Sequence, residues 1–243
     1  MRRPWVPSKS TLFALLVLIG GAQPGTVHAS PPSRVGRLHV PPPIRPKPAQ
    51  KATSFAKLAA LTIRNINSRD VLTTHLYTAD GQVDEAVAKQ LDALLCDARD
   101  PDNTVSRTMD RRLLQLVFRA AYHFSSAHVD VVSAYRKAAS THEGVHAQGR
   151  AIDFRLQGVK PPELAAYLRT QPRVGVGIYT HPKTQFVHLD VRDLSFHWLD
   201  GSPPGRHWRE KNVTAKGLNV QDAKYTRKDD WPEGISPPAA VLH

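Results

Sequence analysis

The chain has 243 residues, 41% hydrophobic and 22% charged, which supplies apolar material for a buried core and excludes a wholly disordered protein. The formal charge is +12, yet residues 1–69 carry 11 Lys/Arg and no acid, while residues 70–243 carry 22 Lys/Arg against 21 Asp/Glu. That near balance argues against a nucleic-acid-binding globular part, and the lone Cys96 excludes an intramolecular disulfide and a cysteine-based zinc finger.

Arg2, Arg3 and Lys9 precede an apolar run over residues 12–19, and Val27-His28-Ala29 follows. This is the pattern of a secretory signal over residues 1–29, cleaved after Ala29. The run is about half of the roughly 20 apolar residues that a bilayer span needs. The expected mature chain therefore starts at Ser30, has no transmembrane span, and resides in the periplasm or cell envelope. Residues 31–50 hold 7 of the 20 prolines and no acid, so residues 30–53 read as an extended, basic, Pro-rich linker. A folded domain over 54–200 and an extension of unknown role over 201–243 complete the expected organisation.

Leu61-Thr62-Ile63-Arg64 and Val71-Leu72-Thr73 read as strands about a turn at residues 65–70. Asp80-Gly81 marks another turn. Residues 83–98 space apolar side chains as a helix does, and Cys96 falls among Leu91, Leu94 and Leu95 as a buried, inert thiol. Asp110 suits the N-cap of a second helix carrying Leu113, Leu114, Leu116, Val117 and Ala120. Residues 129–133 and 151–154 read as short strands. Pro161 and Pro162 open a helix through Leu168. Residues 174–179 and 186–191 read as a final antiparallel pair. Helices early and strands late give an α+β class: a small antiparallel sheet packed against N-terminal helices.

Five of the twelve histidines lie between residues 142 and 197. In a strand over 149–154, Gly149, Ala151 and Asp153 share one face, with Ile152 and Phe154 on the other. His146 precedes that strand and can fold back toward Asp153. In Phe186-Val187-His188-Leu189-Asp190-Val191, His188 and Asp190 share a face. Neighbouring strands would gather His146, Asp153, His188 and Asp190. Two imidazoles and a carboxylate make the three-ligand set of a catalytic zinc site, with a fourth position for water. Histidines with a structural hydrogen bond on a half-exposed sheet face are the alternative that spacing alone leaves open.

Three ordered motifs carry a resemblance. His146-Ala147-Gln148-Gly149-Arg150-Ala151-Ile152-Asp153 fits H-x-x-G-x-A-x-D; Ser133-Ala134-Tyr135-Arg136 is similar to S-G-Y-R; Gly175-Val176-Gly177-Ile178-Tyr179 with Phe186-Val187-His188-Leu189-Asp190 is similar to G-V-G-x-Y…F-V-H-x-D. Together they resemble the LAS-type zinc peptidases, the D-Ala-D-Ala metallocarboxypeptidase family, in the branch of murein DD-endopeptidase K, over roughly residues 55–198. The resemblance implies a sheet-borne zinc ion held by His146, Asp153 and His188. It implies Arg136 as the arginine that binds or polarises the substrate carbonyl, and leaves Asp190 as general base or as an orienting partner. It implies peptidoglycan stem peptides as substrate and a murein endopeptidase as the activity. A D-amino-acid carboxypeptidase and a non-catalytic cell-wall binding module stand as alternatives. Gly144 replaces the usual serine two residues before the first ligand, and Gln185 stands where relatives in other branches carry a glutamate. His142, His181 and His197 are weaker site candidates.

Overall fold

The computed structural model of the protein describes residues 54–97, 107–137, 144–206, 208 and 210–235. The expected signal segment 1–29, the linker 30–53 and His142 lie outside the described residues.

β1 (Leu61–Asn65) and β2 (Val71–Thr74) form an antiparallel hairpin. The Asn65 side chain holds the turn, accepting from the backbone of Asn67 and Ser68. α1 (Glu85–Leu94) starts at Asp84, whose carboxylate accepts from Ala86 N and Val87 N. α2 (Arg111–His123) starts at Asp110, whose carboxylate accepts from Arg112 N. Both caps satisfy amides that a helix start leaves without partners. β3 (His128–Ser133), β4 (Ala151–Leu156), α3 (Pro161–Leu168), β5 (Val174–Tyr179) and β6 (Val187–Val191) follow the sequence pattern closely.

The class is α+β, with a mixed sheet of eight strands in the order β2-β1-β3-β4-β6-β5-β7-β8 once β7 (Phe196–Asp200) and β8 (Lys211–Asn212) are added. The sheet is thus larger than expected, and β1–β3 and β5–β7 pair in parallel rather than antiparallel. β3 returns beside β1 after the two helices, the long crossover that a parallel pair needs. β7 escapes a reading by period because Phe196-His197-Trp198-Leu199-Asp200 puts apolar and polar groups on both faces.

One face of the sheet is apolar. Ile152 and Phe154 of β4, Val174 and Val176 of β5, and Val187 and Leu189 of β6 join Leu113, Leu116 and Val117 of α2 and Leu164 and Leu168 of α3 in one buried cluster. The opposite face of β4 and β6 is left for Asp153, His188 and Asp190.

The C-terminal segment has little periodicity, yet it folds against this body through α4 (Leu218–Ala223) and a 3-10 turn at Arg227–Asp230. Arg112 of α2 donates to Asp230 at 2.7 Å and to the carbonyls of Pro172 and Arg173. Its guanidinium lies 4.5 Å from the Tyr225 ring centroid. Trp231 is buried, and its indole N–H donates to Gly81 O at 3.0 Å. Trp231→Ala is expected to destabilise the protein by about 3–5 kcal/mol, the usual cost of emptying a buried aromatic site. A denaturation midpoint equal to wild type would show that the segment is dispensable.

Candidate metal centre

The β4–β6 register places Asp153 opposite His188. His188 Nδ1 donates to Asp153 Oδ1 at 2.8 Å, and His188 Nε2 donates to Asp190 Oδ2 at 3.0 Å. His146 arrives from the turn before β4, with Nε2 3.6 Å from Asp153 Oδ2. Its Nδ1 donates to Ala134 O at 2.6 Å, which leaves Nε2 as the nitrogen aimed at the group. Ligand atoms of His146, Asp153 and His188 lie within 4.8 Å of one another, and all three residues are buried. His146 Nε2 is buried without a hydrogen-bond partner. An orphaned imidazole nitrogen facing a carboxylate and a second imidazole fits a divalent metal ion of the borderline-soft kind.

Asp190 is fully buried. Arg192 Nε donates to its Oδ1 at 2.6 Å and Arg192 Nη2 donates to its Oδ2. The carboxylate therefore stands behind His188, on the side away from Asp153. Arg136 lies at the open edge, with Nη2 3.7 Å from Asp153 Oδ2 and 42% of its side chain exposed. The structure thus gathers all five residues singled out in the sequence.

Glycines make room for this arrangement. Gly175 and Gly177 of β5 pair with Asp190 and His188. A Cβ at Gly175 would overlap Asp190 Oδ2 and the Arg192 guanidinium; one at Gly177 would overlap the Trp198 indole. Trp198 uses that space to pack beside His188, with ring centroids 5.0 Å apart.

The remaining described candidates are placed elsewhere. His197 is buried, and burial pulls it down to about 4. His181 takes a local hydrogen bond from Lys183 N. Gln185 is exposed, with a φ of 44°. Arg192 went unnoticed in sequence, although His188, Asp190 and Arg192 alternate on one side of the chain and could have been grouped on that ground.

A family model described as "Peptidoglycan L,D-endopeptidase MepK" matches residues 53–198. The chain belongs to this M15-type peptidase family. It is a hydrolase, and the family is metal-dependent. A "Probable peptidoglycan L,D-endopeptidase MepK" of Haemophilus influenzae is 31% identical over 161 residues, which is 61% of this chain and 83% of the relative. The "Peptidoglycan L,D-endopeptidase MepK" of Escherichia coli K12 is 25% identical over 177 residues, 68% of this chain and 88% of the relative. The branch matches the one that the motifs resemble, and the family and both relatives are named for an L,D rather than a D,D bond. No solved structure gives a significant match. Among the described residues no helix is long and apolar enough to cross a membrane.

The charges set a pH dependence. Burial opposes ionisation of Asp153, but the neighbouring His146 imidazole and the hydrogen bond from His188 prevail and hold it well below the usual carboxylate range. Burial pulls His188 down, and its bonds to Asp153 and Asp190 outweigh that and raise it to about 9. A metal ion at Nδ1 therefore competes with a proton. In chelator-treated protein, the stabilisation from protonated His188 is complete below about pH 6.5 and lost as pH rises through about 9. The thermal midpoint of that protein should fall over this window; a flat midpoint from pH 7 to 10 would contradict the coupling.

Proposed function

We propose that this chain is an exported, zinc-dependent endopeptidase that hydrolyses peptide cross-links of peptidoglycan in the periplasm or cell envelope. The observation that carries the reading is the buried His146–Asp153–His188 triad with Arg136 at its open edge, in a chain that belongs to this peptidase family. The names of the relatives support the substrate. The leader pattern supports export.

His146 Nε2, an Asp153 oxygen and His188 Nδ1 would hold the metal. When bound, zinc supplies Lewis acidity and a water of lowered pKa. Arg136 keeps a fixed positive charge beside the carbonyl oxygen of the scissile bond and stabilises the negative charge that develops there. Asp190 acts as the orienting partner of His188 rather than as the base. Its full burial and its engagement by His188 and Arg192 support this role. Gln185 cannot accept a proton at neutral pH, so it supplies no base.

Digestion of purified sacculi with and without chelator, followed by analysis of the released muropeptides, tests the reading. Cross-linked fragments should disappear, and chelator should stop their loss. Release of a terminal D-amino acid alone would instead make the chain a carboxypeptidase, and binding without cleavage would make it a wall-binding module. His146→Ala and His188→Ala should lose the metal. Arg136→Ala should keep zinc and lose about 100–1,000-fold in turnover, the usual cost of one oxyanion donor. Asp190→Asn should weaken zinc binding by about 10–100-fold and keep the acidic limb of the pH–rate profile. Loss of that limb with zinc retained would make Asp190 the base.

A further inference from the structure

The link from β6 to β7 has four residues, 192–195, and crosses the start of β5, because β7 pairs with β5 and not with β6. Its apolar side chain, Leu194, is 67% exposed, so burial does not hold the link in place. Hydrogen bonds hold it. Arg192 N donates to Arg173 O at 3.1 Å. Ser195 N donates to Asp222 Oδ2 at 2.7 Å, and Ser195 Oγ donates to Asp222 Oδ1 at 2.6 Å. Asp222 Oδ1 also accepts from Arg173 N at 2.6 Å, and Asp222 O accepts from Arg173 Nε at 3.0 Å. Arg173 has a φ of 53°, a left-handed conformation that a residue with a side chain adopts only when its surroundings enforce it. One buried carboxylate on α4 thus fixes both the link and the strand start beneath it.

Arg192 reaches back from this link to Asp190. Its guanidinium meets the carboxylate with Nε and Nη2, a forked contact that fixes the carboxylate plane as well as its charge. The same Asp190 carboxylate accepts from His188 Nε2 and so sets the ring orientation of the ligand. A continuous run leads from α4 through Ser195 and Arg192 to Asp190 and His188.

We propose that Asp222, in the segment beyond the family match, is a positioning residue of the metal centre. It acts through the link 192–195 and Arg192 on Asp190, and thereby on the aim of His188. The proposal rests on the metal-site part of the functional reading and is independent of the peptide substrate.

Zinc affinity of the purified full chain, measured by competition with a chromophoric chelator, tests it. Arg192→Gln should weaken binding by about 10–100-fold, the usual cost of losing a partner that orients a ligand. Asp222→Asn should weaken it in the same direction, by about 10-fold, and Ser195→Ala by less. In an Asp190→Asn background each of these should add less than about twofold, because the route to His188 is already cut. Thr226→Ala is the comparator. It breaks the capping box of the 3-10 turn in the same C-terminal segment without touching the link, and it should bind zinc like wild type. Wild-type affinity in both Asp222→Asn and Ser195→Ala overturns the proposal. So do losses that persist undiminished beside Asp190→Asn, which would mark a general loosening of the domain. Should Asp222→Asn fail to fold, Ser195→Ala decides alone, since it removes a single hydroxyl. A wild-type chain that binds no zinc overturns this proposal together with the metal reading. A zinc-loaded chain that leaves sacculi intact overturns only the substrate.

Discussion

Asp153 stands directly opposite His188 in the β4–β6 ladder, and their 2.8 Å hydrogen bond depends on a register that is set from the other side of the sheet. Ile152, Phe154, Val187 and Leu189 are all buried against the helices. Side chains alternate along a strand, so a slip of one residue would send the carboxylate and the imidazole into the apolar core. The packing of α2 and α3 on one face therefore fixes the chemistry on the other. His146 joins from a turn, tied by its Nδ1 to Ala134 O at the end of β3.

Electrostatics make this an expensive place to leave unpaired. Asp153, His188 and Asp190 are each withdrawn from water, and a buried charge persists only with partners. The chain meets that need in layers. The two histidines surround Asp153, and His188 with Arg192 surrounds Asp190. Gly175 and Gly177 then allow the Asp190–Arg192 pair and Trp198 to approach the sheet closely. Absent side chains are as much a part of this centre as present ones.

Most of the site was legible in the sequence because its members obey short-range rules. His188 and Asp190 share a face by strand alternation, and Gly149 and Ala151 leave Asp153 uncrowded. Helix starts at Asp84 and Asp110 follow from capping chemistry, which is local. What escaped depends on distant pairing. Nothing near Phe196 announces a strand that lies parallel to β5. Nothing near Asp222 announces that its carboxylate will clamp Ser195, 27 residues earlier. The strand count, the parallel pairs and the place of the C-terminal segment all belong to this long-range class.

The indole of Trp231 donates to Gly81 O across 150 residues of chain. A polypeptide is synthesised from its N-terminus, so the turn at Gly81 waits for nearly the whole chain before it meets its partner. Contacts of such separation are slow to close, because the loop entropy must be overcome before they contribute. The C-terminal segment therefore docks late in biogenesis, and a nascent chain holds the turn at Gly81 without the indole that later bonds to it.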